Sequence, residues 1–226
     1  MHGIMLHRLG STVLVLEQSP VGTPLSHMAG VGLGSDVQRL LKCFDGVSQI
    51  PLGLPAVQLQ SLDSNGTVHP FLKVNRMLSS WDALYFRLRA NFDAKPSEYV
   101  PQPPVPVSVV GEDAESAKAR AKYQAGAHVT DIEQLETGQL RVHYKDHAHG
   151  EKVHHALADL VIGADGPNSV VRKRFLEPGQ ADRLYCGYVA WRGVVPENHV
   201  SKATRDIFRS NITYSILKDG GGHVIM

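Results

Sequence analysis

Two places in the 226-residue chain combine residue types that can hold a ligand. The first is Glu17, which ends the run Thr12-Val13-Leu14-Val15-Leu16. A carboxylate at the end of a buried strand can accept hydrogen bonds from paired hydroxyls, the role an acid plays toward ribose in dinucleotide-binding folds. An ordinary surface acid past a strand end is the alternative. The second is Gly163-Ala164-Asp165-Gly166-Pro167-Asn168-Ser169-Val170-Val171-Arg172, directly after Leu160-Val161-Ile162. A Gly-Ala strand end permits close backbone approach to a ligand, and Asp165 offers a carboxylate to hydroxyls or a cation. Asn168 or Ser169 can cap the helix that follows. Here the alternative is a tight turn in which Asp165 and Ser169 serve only as caps.

Other residues carry weaker chemistry. A strand bearing Tyr188, Trp191 and Arg192 could line a substrate cavity, or could present a core aromatic and an exposed Arg. His143, His147, His149, His154 and His155 crowd two expected strands, but no carboxylate or thiol completes a metal site at a recognisable spacing, and a solvated hairpin is the simpler reading. No Gly-x-Ser-x-Gly elbow supports nucleophilic hydrolysis.

These residues must be positioned by the elements around them. Met1, Ile4, Met5, Leu6 and Leu9 keep a helical rhythm, and Gly10-Ser11 turns the chain into the strand ending at Glu17. Helix, glycine turn, buried strand and terminal acid form the second half of a βαβ unit. Gly3 fits the small residue that lets such a helix pack on its sheet. That spacing puts the third glycine of Gly-x-Gly-x-x-Gly just before Met1, and the phosphate-cradling loop outside this chain.

Further along, Ser26 to Gly34 reads as a Gly-rich loop, and Ser35-Asp36 as the N-cap of an amphipathic helix through Val37, Leu40, Leu41 and Phe44. Asn65-Gly66 marks a hairpin between Val57-Gln58-Leu59 and Val68-His69-Pro70-Phe71. A second helix begins near Ser79 or Ser80 and turns Trp81, Leu84, Tyr85, Leu88 and Phe92 toward the core. Five prolines from Pro96 to Pro106 and the charged stretch Glu112 to Lys122 suggest an insertion or mobile loop with one short helix. A meander follows over Val129–Glu133, Leu140–Tyr144 and Lys152–Leu157, then a buried strand over Leu157–Gly163 and a basic helical start, Val170–Phe175. Gly187–Val195 reads as a long strand, and Asn211–Leu217 with His223–Met226 as a hairpin about Gly220-Gly221-Gly222.

Bulk properties exclude several classes. Lys and Arg total 23 against 22 Asp and Glu, and no basic stripe suggests nucleic acid or an anionic membrane as a partner. No apolar run approaches the roughly 20 residues of a membrane-spanning helix. Cys43 and Cys186 form no C-x-x-C pair, so a reducing cytoplasmic compartment is the simplest setting.

The segment Gly163 to Arg172 resembles the Gly-Ala-Asp-Gly-x-x-Ser-x-Val-Arg motif of the FAD-dependent aromatic hydroxylases, the single-component flavoprotein monooxygenases that include p-hydroxybenzoate and phenol hydroxylases. The resemblance runs along nearly the whole chain. Within that family, Gly187–Gly193 and Ser80-Trp81-Asp82 look most like the dihydroxypyridine hydroxylases. The resemblance implies an α/β fold, with a partial Rossmann-like FAD/NAD(P)-binding domain and an antiparallel-sheet substrate domain. The flavin domain would comprise residues 1–50 and 76–183, with an insertion near 93–122; substrate-domain strands would occupy 51–75 and 184–226. It implies cofactor contacts at Glu17, at Gly30 and Val31 beside the flavin, at Trp81, and at Asp165, Gly166 and Arg172, the acid serving FAD and NAD(P)H alike. Tyr188, Trp191 and Arg192 would face the substrate.

In mechanism, NAD(P)H would reduce FAD, and O2 would then add to the reduced flavin and pass one atom to a small aromatic or N-heteroaromatic ring. The flavin carries the hard step, so no side chain is assigned as catalytic. Two departures bear on FAD. Trp81 stands where many relatives carry the Arg of Arg-x-x-Leu-x-x-x-Leu, although Leu84 and Leu88 match. The family's C-terminal Gly-Asp segment does not occur before Met226, so the expectation is weak FAD binding by this chain and tight binding by a longer one. A non-catalytic remnant is the competing reading from another class: a strand such as Val13–Leu16 that lost a neighbour would expose apolar surface at roughly 25 cal/mol per Å². A sister flavoprotein oxidoreductase is a third, but the Trp-x-Trp-x-Ile-Pro segment of flavin halogenases is absent.

Overall fold

The structure, a computed structural model, describes residues 1–20, 29–47, 49–105, 113–147, 150, 152–216 and 223–225. In chain order its elements are α1 (His2–Arg8), β1 (Val13–Glu17), β2 (Gly30–Leu33), α2 (Ser35–Phe44), β3 (Leu54–Leu62), β4 (Val68–Ser80), α3 (Trp81–Asp93) and α4 (Ala114–Ala119). Then come β5 (Ala121–Ala125), β6 (Ala127–Gln134), β7 (Leu140–Asp146), β8 (Lys152–Ala158), α5 (Val170–Phe175), α6 (Lys202–Phe208), β9 (Asn211–Ile216) and β10 (His223–Ile225). This is a mixed α/β fold with one parallel strand pair and two largely antiparallel sheets.

The helix–turn–strand at the start forms as expected, and two glycines make it possible. A Cβ on Gly3 would lie 3.3 Å from the Phe92 ring and 3.5 Å from Val13, so any side chain there would make the Phe92 ring give by a few tenths of an ångström. Gly10 closes the helix at φ +92°, a left-handed conformation that glycine adopts without strain, and its N–H donates to the His7 carbonyl at 3.0 Å.

Strand β5 pairs in parallel with β1, from Ala121 opposite Val13 to Ala125 opposite Glu17. The sequence reading ran an insertion or mobile loop with one short helix as far as Lys122; the short helix is α4, and Ala121 and Lys122 belong to β5. Helix α4 starts on the Asp113 carboxylate and stops at Arg120, whose carbonyl accepts the Val13 N–H at 2.7 Å. Val100 and Ala117 have no exposure at all, and His7 Nε2 hydrogen-bonds the Ala117 carbonyl at 2.6 Å. Ala, Lys and Arg favour a helix locally, but pairing with a strand distant in sequence wins over that preference.

Ser80 caps α3, as expected, by accepting the Ala83 N–H at 3.1 Å. Ile4, Phe92 and Ala121 form a buried core, with Val13, Val15, Leu88 and Tyr123 packed around it. The same helix buries two arginines, which apolar periodicity does not foretell. Arg87 is 3% exposed; it donates to Asp45 Oδ2 at 2.9 Å and to the carbonyls of Val47 and Ile50, so one guanidinium satisfies the loop that follows α2. In α2 itself Gly34, not Ser35-Asp36, is the N-cap, and it supplies no side-chain hydrogen bond.

The larger sheet has the order β10-β9-β3-β4-β2, antiparallel except for β3 beside β9. Its hairpin turns where expected. The Asp63 carboxylate accepts the N–H groups of Asn65 and Thr67, each at 2.9 Å, and a contact from His69 at 3.0 Å. Those hydrogen bonds, that of His69 foremost, hold its pKa down to about 2. Pro70 sits in β4 opposite Gln60, next to the register shift between Leu59 and Gln60, a place in a sheet where proline is tolerated. Helix α6, which the sequence reading missed, is tied to this sheet by Gln60, whose Nε2 donates to the Ile207 carbonyl at 2.7 Å and to Thr213 Oγ1 at 3.0 Å. Strands β9 and β10 pair as the expected hairpin; its turn, 217–222, and Met226 lie outside the described residues.

Strands β6, β7 and β8 form the expected meander. Two other expected strands do not form. Past Ala158 the chain makes no ladder, with Leu160 65% and Ile162 45% exposed, and residues 187–195 are also without strand pairing. An apolar, β-branched run becomes a strand only beside a hydrogen-bonding neighbour, and neither segment has one among the described residues. No described helix is long and apolar enough to cross a membrane.

Replacing Arg87 by Met strands the Asp45 charge and two carbonyls in a buried setting. We expect a loss of about 3–5 kcal/mol in urea unfolding, part of it recovered in the double variant Arg87→Met/Asp45→Asn.

Candidate functional site

The residues implied as cofactor contacts fall into two groups. In the first, β2 lies along the end of β4, with Gly30 opposite Ser80 and Val31 opposite Ser79. The sequence reading had this stretch as a loop; residues 26–28 of it lie outside the described residues, and 30–33 are strand. The Trp81 N–H donates to the Ala29 carbonyl at 3.0 Å, so Gly30, Val31 and Trp81 share one corner where the sheet passes into α3.

From that corner an aromatic and cationic chain runs into the core. The Trp81 indole stacks on the Tyr85 ring at 5.0 Å and 11°. The Tyr85 hydroxyl accepts from Arg89 Nη1 at 2.8 Å and donates to the Tyr123 hydroxyl at 3.2 Å. Arg89 grips Asp93 through Nε at 3.0 Å and Nη2 at 2.5 Å, and its guanidinium lies 3.4 Å from the centre of the Tyr123 ring. Burial alone would lower the Arg89 pKa, but the Asp93 and Tyr85 contacts outweigh it and raise it. Burial, the Tyr85 hydrogen bond and the negative charge of Glu17 push the Tyr123 phenol up, against the opposing pull of Arg89. Glu17 thus feels the same cluster from the end of β1; its Oε1 accepts the Ser19 N–H at 2.8 Å.

Sequence reading missed Asp82, Tyr85, Arg89 and Tyr123 as site residues. The spacing of four from Tyr85 to Arg89 to Asp93 is the signal that could have found two of them, Tyr85 and Arg89. Asp82 begins α3 with its Oδ1 buried and without a hydrogen-bond partner, and its charge helps to raise the neighbouring Tyr99 phenol, after burial.

The second group is closed on itself. The Asp165 carboxylate accepts the Ser169 hydroxyl at 2.5 Å and the N–H groups of Val170 and Val171 at 2.7 and 3.2 Å. Ser169 Oγ accepts the Arg172 N–H at 2.9 Å, and the Arg172 guanidinium folds back onto the carbonyls of Gly166 and Pro167 at 3.2 and 2.5 Å. Gly166 holds φ +69° in open surroundings. The close approach that Gly163 permits is taken by Val171, to which an added Cβ would come within 2.9 Å. Tight turn and helix are present as expected, and the carboxylate is used as a cap. Burial would raise the Asp165 pKa, but the hydrogen bonds from Ser169 and the α5 backbone hold it below the usual carboxylate range.

Tyr188, Trp191 and Arg192 lie on a segment without strand pairing and are exposed, Trp191 to 92%. In the meander, Glu133 accepts from Arg141 at 3.0 Å and meets His143 Nε2 at 3.5 Å, while His154 stacks on Tyr144. His149 lies outside the described residues, among which no three His, Cys, Asp or Glu are gathered as a metal site.

Comparison with known proteins fits this geometry. A family model described as FAD binding domain-like matches residues 185–226. The chain is similar to proteins described as monooxygenases and hydroxylases. In particular, it is 31% identical over 224 residues to the 2,6-dihydroxypyridine 3-monooxygenase of Paenarthrobacter nicotinovorans, a match that covers 96% of this chain and 45% of that protein. The solved structure of 2,6-dihydroxypyridine-3-hydroxylase from Arthrobacter nicotinovorans superposes with a TM-score of 0.64 at 25% identity, over 99% of this chain and 47% of the other. The chain therefore spans about half the length of these relatives.

Because the Asp165 pKa is depressed in the folded chain, its stabilising effect is complete above the unfolded value of about 4 and is lost as the pH falls through the lowered one. Asp165→Ala should cost about 1 kcal/mol at neutral pH. Thermal melts from pH 6 to pH 2 should bring the two proteins together at the acid end.

Proposed function

We propose that this chain forms part of an FAD-dependent monooxygenase that hydroxylates an aromatic or N-heteroaromatic ring with NAD(P)H and O2. The observation that carries this reading is the 31% identity, over 224 residues, to 2,6-dihydroxypyridine 3-monooxygenase. That match favours a hydroxylase over a non-catalytic remnant. When bound, FAD supplies the electron transfer and the activation of oxygen; the chain binds, orients and excludes water.

The residues present fit that role. A carboxylate at the end of a parallel strand, as Glu17 is, suits the ribose hydroxyls of the adenosine half. Among the described residues a Cβ at Gly30 would meet only the Ser79 carbonyl, at 3.9 Å, which leaves the β2 edge room for a flat ring against its backbone. Trp81 gives a flat face and no charge. The first turn of α3 holds Asp82 and no base, which leaves the cation of this set to Arg172 on α5. Asp165 and Gly166 form the turn that steadies Arg172. Exposed Tyr188, Trp191 and Arg192 offer two flat faces and a guanidinium, groups that suit a hydroxylated aromatic substrate. Cys43 and Cys186 are exposed free thiols, in keeping with a reducing cytoplasm.

Titration of the chain with FAD and FMN, followed by flavin fluorescence, tests the reading. FAD should bind in preference to FMN, which lacks the adenosine half. Glu17→Gln should weaken FAD about tenfold, the value of one charged hydrogen bond, and leave FMN unchanged. Equal affinity for the two flavins, or none for either, would remove the basis of the assignment.

A further inference from the structure

We propose that Tyr85 is a positioning residue that holds the Trp81 indole and couples it to the strand pair bearing Glu17. The inference rests on the functional reading above, since it concerns two ends of the same nucleotide site. Trp81 and Glu17 lie on different elements, α3 and β1, and share no backbone pairing. What joins them is a run of side chains. The Trp81 ring lies parallel to Tyr85 at 5.0 Å; the Tyr85 hydroxyl is fixed on one side by Arg89 at 2.8 Å and on the other by the Tyr123 hydroxyl at 3.2 Å. Tyr123 stands on β5, opposite Val15, two residues before the partner of Glu17 in the same ladder.

Each link is directional. The Tyr85 hydroxyl has one proton to give and receives one from Arg89, so its ring cannot swing about χ1 without breaking both hydrogen bonds. Arg89 cannot yield either, because Asp93 holds it with two nitrogens while its guanidinium plane covers the Tyr123 ring. The indole therefore rests against a ring that the β1–β5 pair keeps in place. A shift of β5 relative to α3 would carry Glu17 and Trp81 out of register together.

The test uses two substitutions in a Trp191→Phe background, where Trp81 is the sole indole because the chain holds 2 Trp. Tyr85→Phe keeps the ring and removes the hydroxyl; Tyr85→Leu removes both. Without ligand, Trp81 fluorescence anisotropy should fall slightly in Tyr85→Phe and clearly in Tyr85→Leu. FAD should bind about fivefold more weakly to Tyr85→Phe, a part of the value of the two hydrogen bonds that the hydroxyl makes. Combining Tyr85→Phe with Glu17→Gln should weaken FAD by clearly less than the product of the two single effects, because a site already out of register gains little from its ribose acid. A multiplicative result, or an unchanged Trp81 signal with unchanged affinity in Tyr85→Phe, overturns the positioning role while the functional reading stands. Failure of the unaltered chain to prefer FAD overturns both. If Tyr85→Leu does not fold, the Tyr85→Phe cycle alone decides.

Discussion

Two guanidinium groups buried on one helix set the terms for the rest of the structure. A charge withdrawn from water must have nearly all its donors matched, and α3 withdraws two, Arg87 and Arg89, at 3% and 8% exposure. Arg87 solves this with Asp45 and two carbonyls, and so fixes the loop behind α2. Arg89 solves it with Asp93, Tyr85 and the face of Tyr123, and so fixes β5. Between them the helix can occupy only one orientation over the β1–β5 pair, and its first residue is delivered to the corner made by β2 and β4.

How much of this was legible in the sequence depends on how local each determinant is. Gly10 and Glu17 gave away the opening turn and strand end because their contacts are settled within a few residues, whereas Gly3, which answers to Phe92 on α3, was legible only through its spacing in the unit. The Asn65-Gly66 hairpin, the Ser80 cap and the meander were legible for the same reason. Strand β5 was not, since Ala121-Lys122-Tyr123-Gln124-Ala125 has no β-branched residue and follows an Ala-rich helix; only its distant partner makes it a strand. The opposite error came from Leu160–Ile162 and Gly187–Val195, whose composition is that of buried strands but which have no ladder to join. Propensity describes what a segment would accept, and pairing decides what it receives.

The site divides along the same line. The Asp165 motif was legible because it is a closed local unit whose residues contact one another. The corner of Gly30, Val31 and Trp81 was named from resemblance, but its support was invisible. A tyrosine and an arginine one helical turn apart do not reveal in sequence that a third ring, on β5, completes the set. Buried polar networks of this kind leave little periodic trace, because each member also passes for an ordinary residue of its own helix or strand.

The Asp165 turn has a thermodynamic corollary for any ligand that recruits it. Both carboxylate oxygens are already committed to Ser169 and the first turn of α5, and the Arg172 guanidinium to the backbone of the turn. A newcomer at this spot would meet only the acceptor and donor positions that these bonds leave open, with less enthalpy to gain than from an uncommitted pair. Such a turn behaves as a latch, selective about geometry and nearly neutral in affinity, and the tightness of binding must be set elsewhere on the molecule.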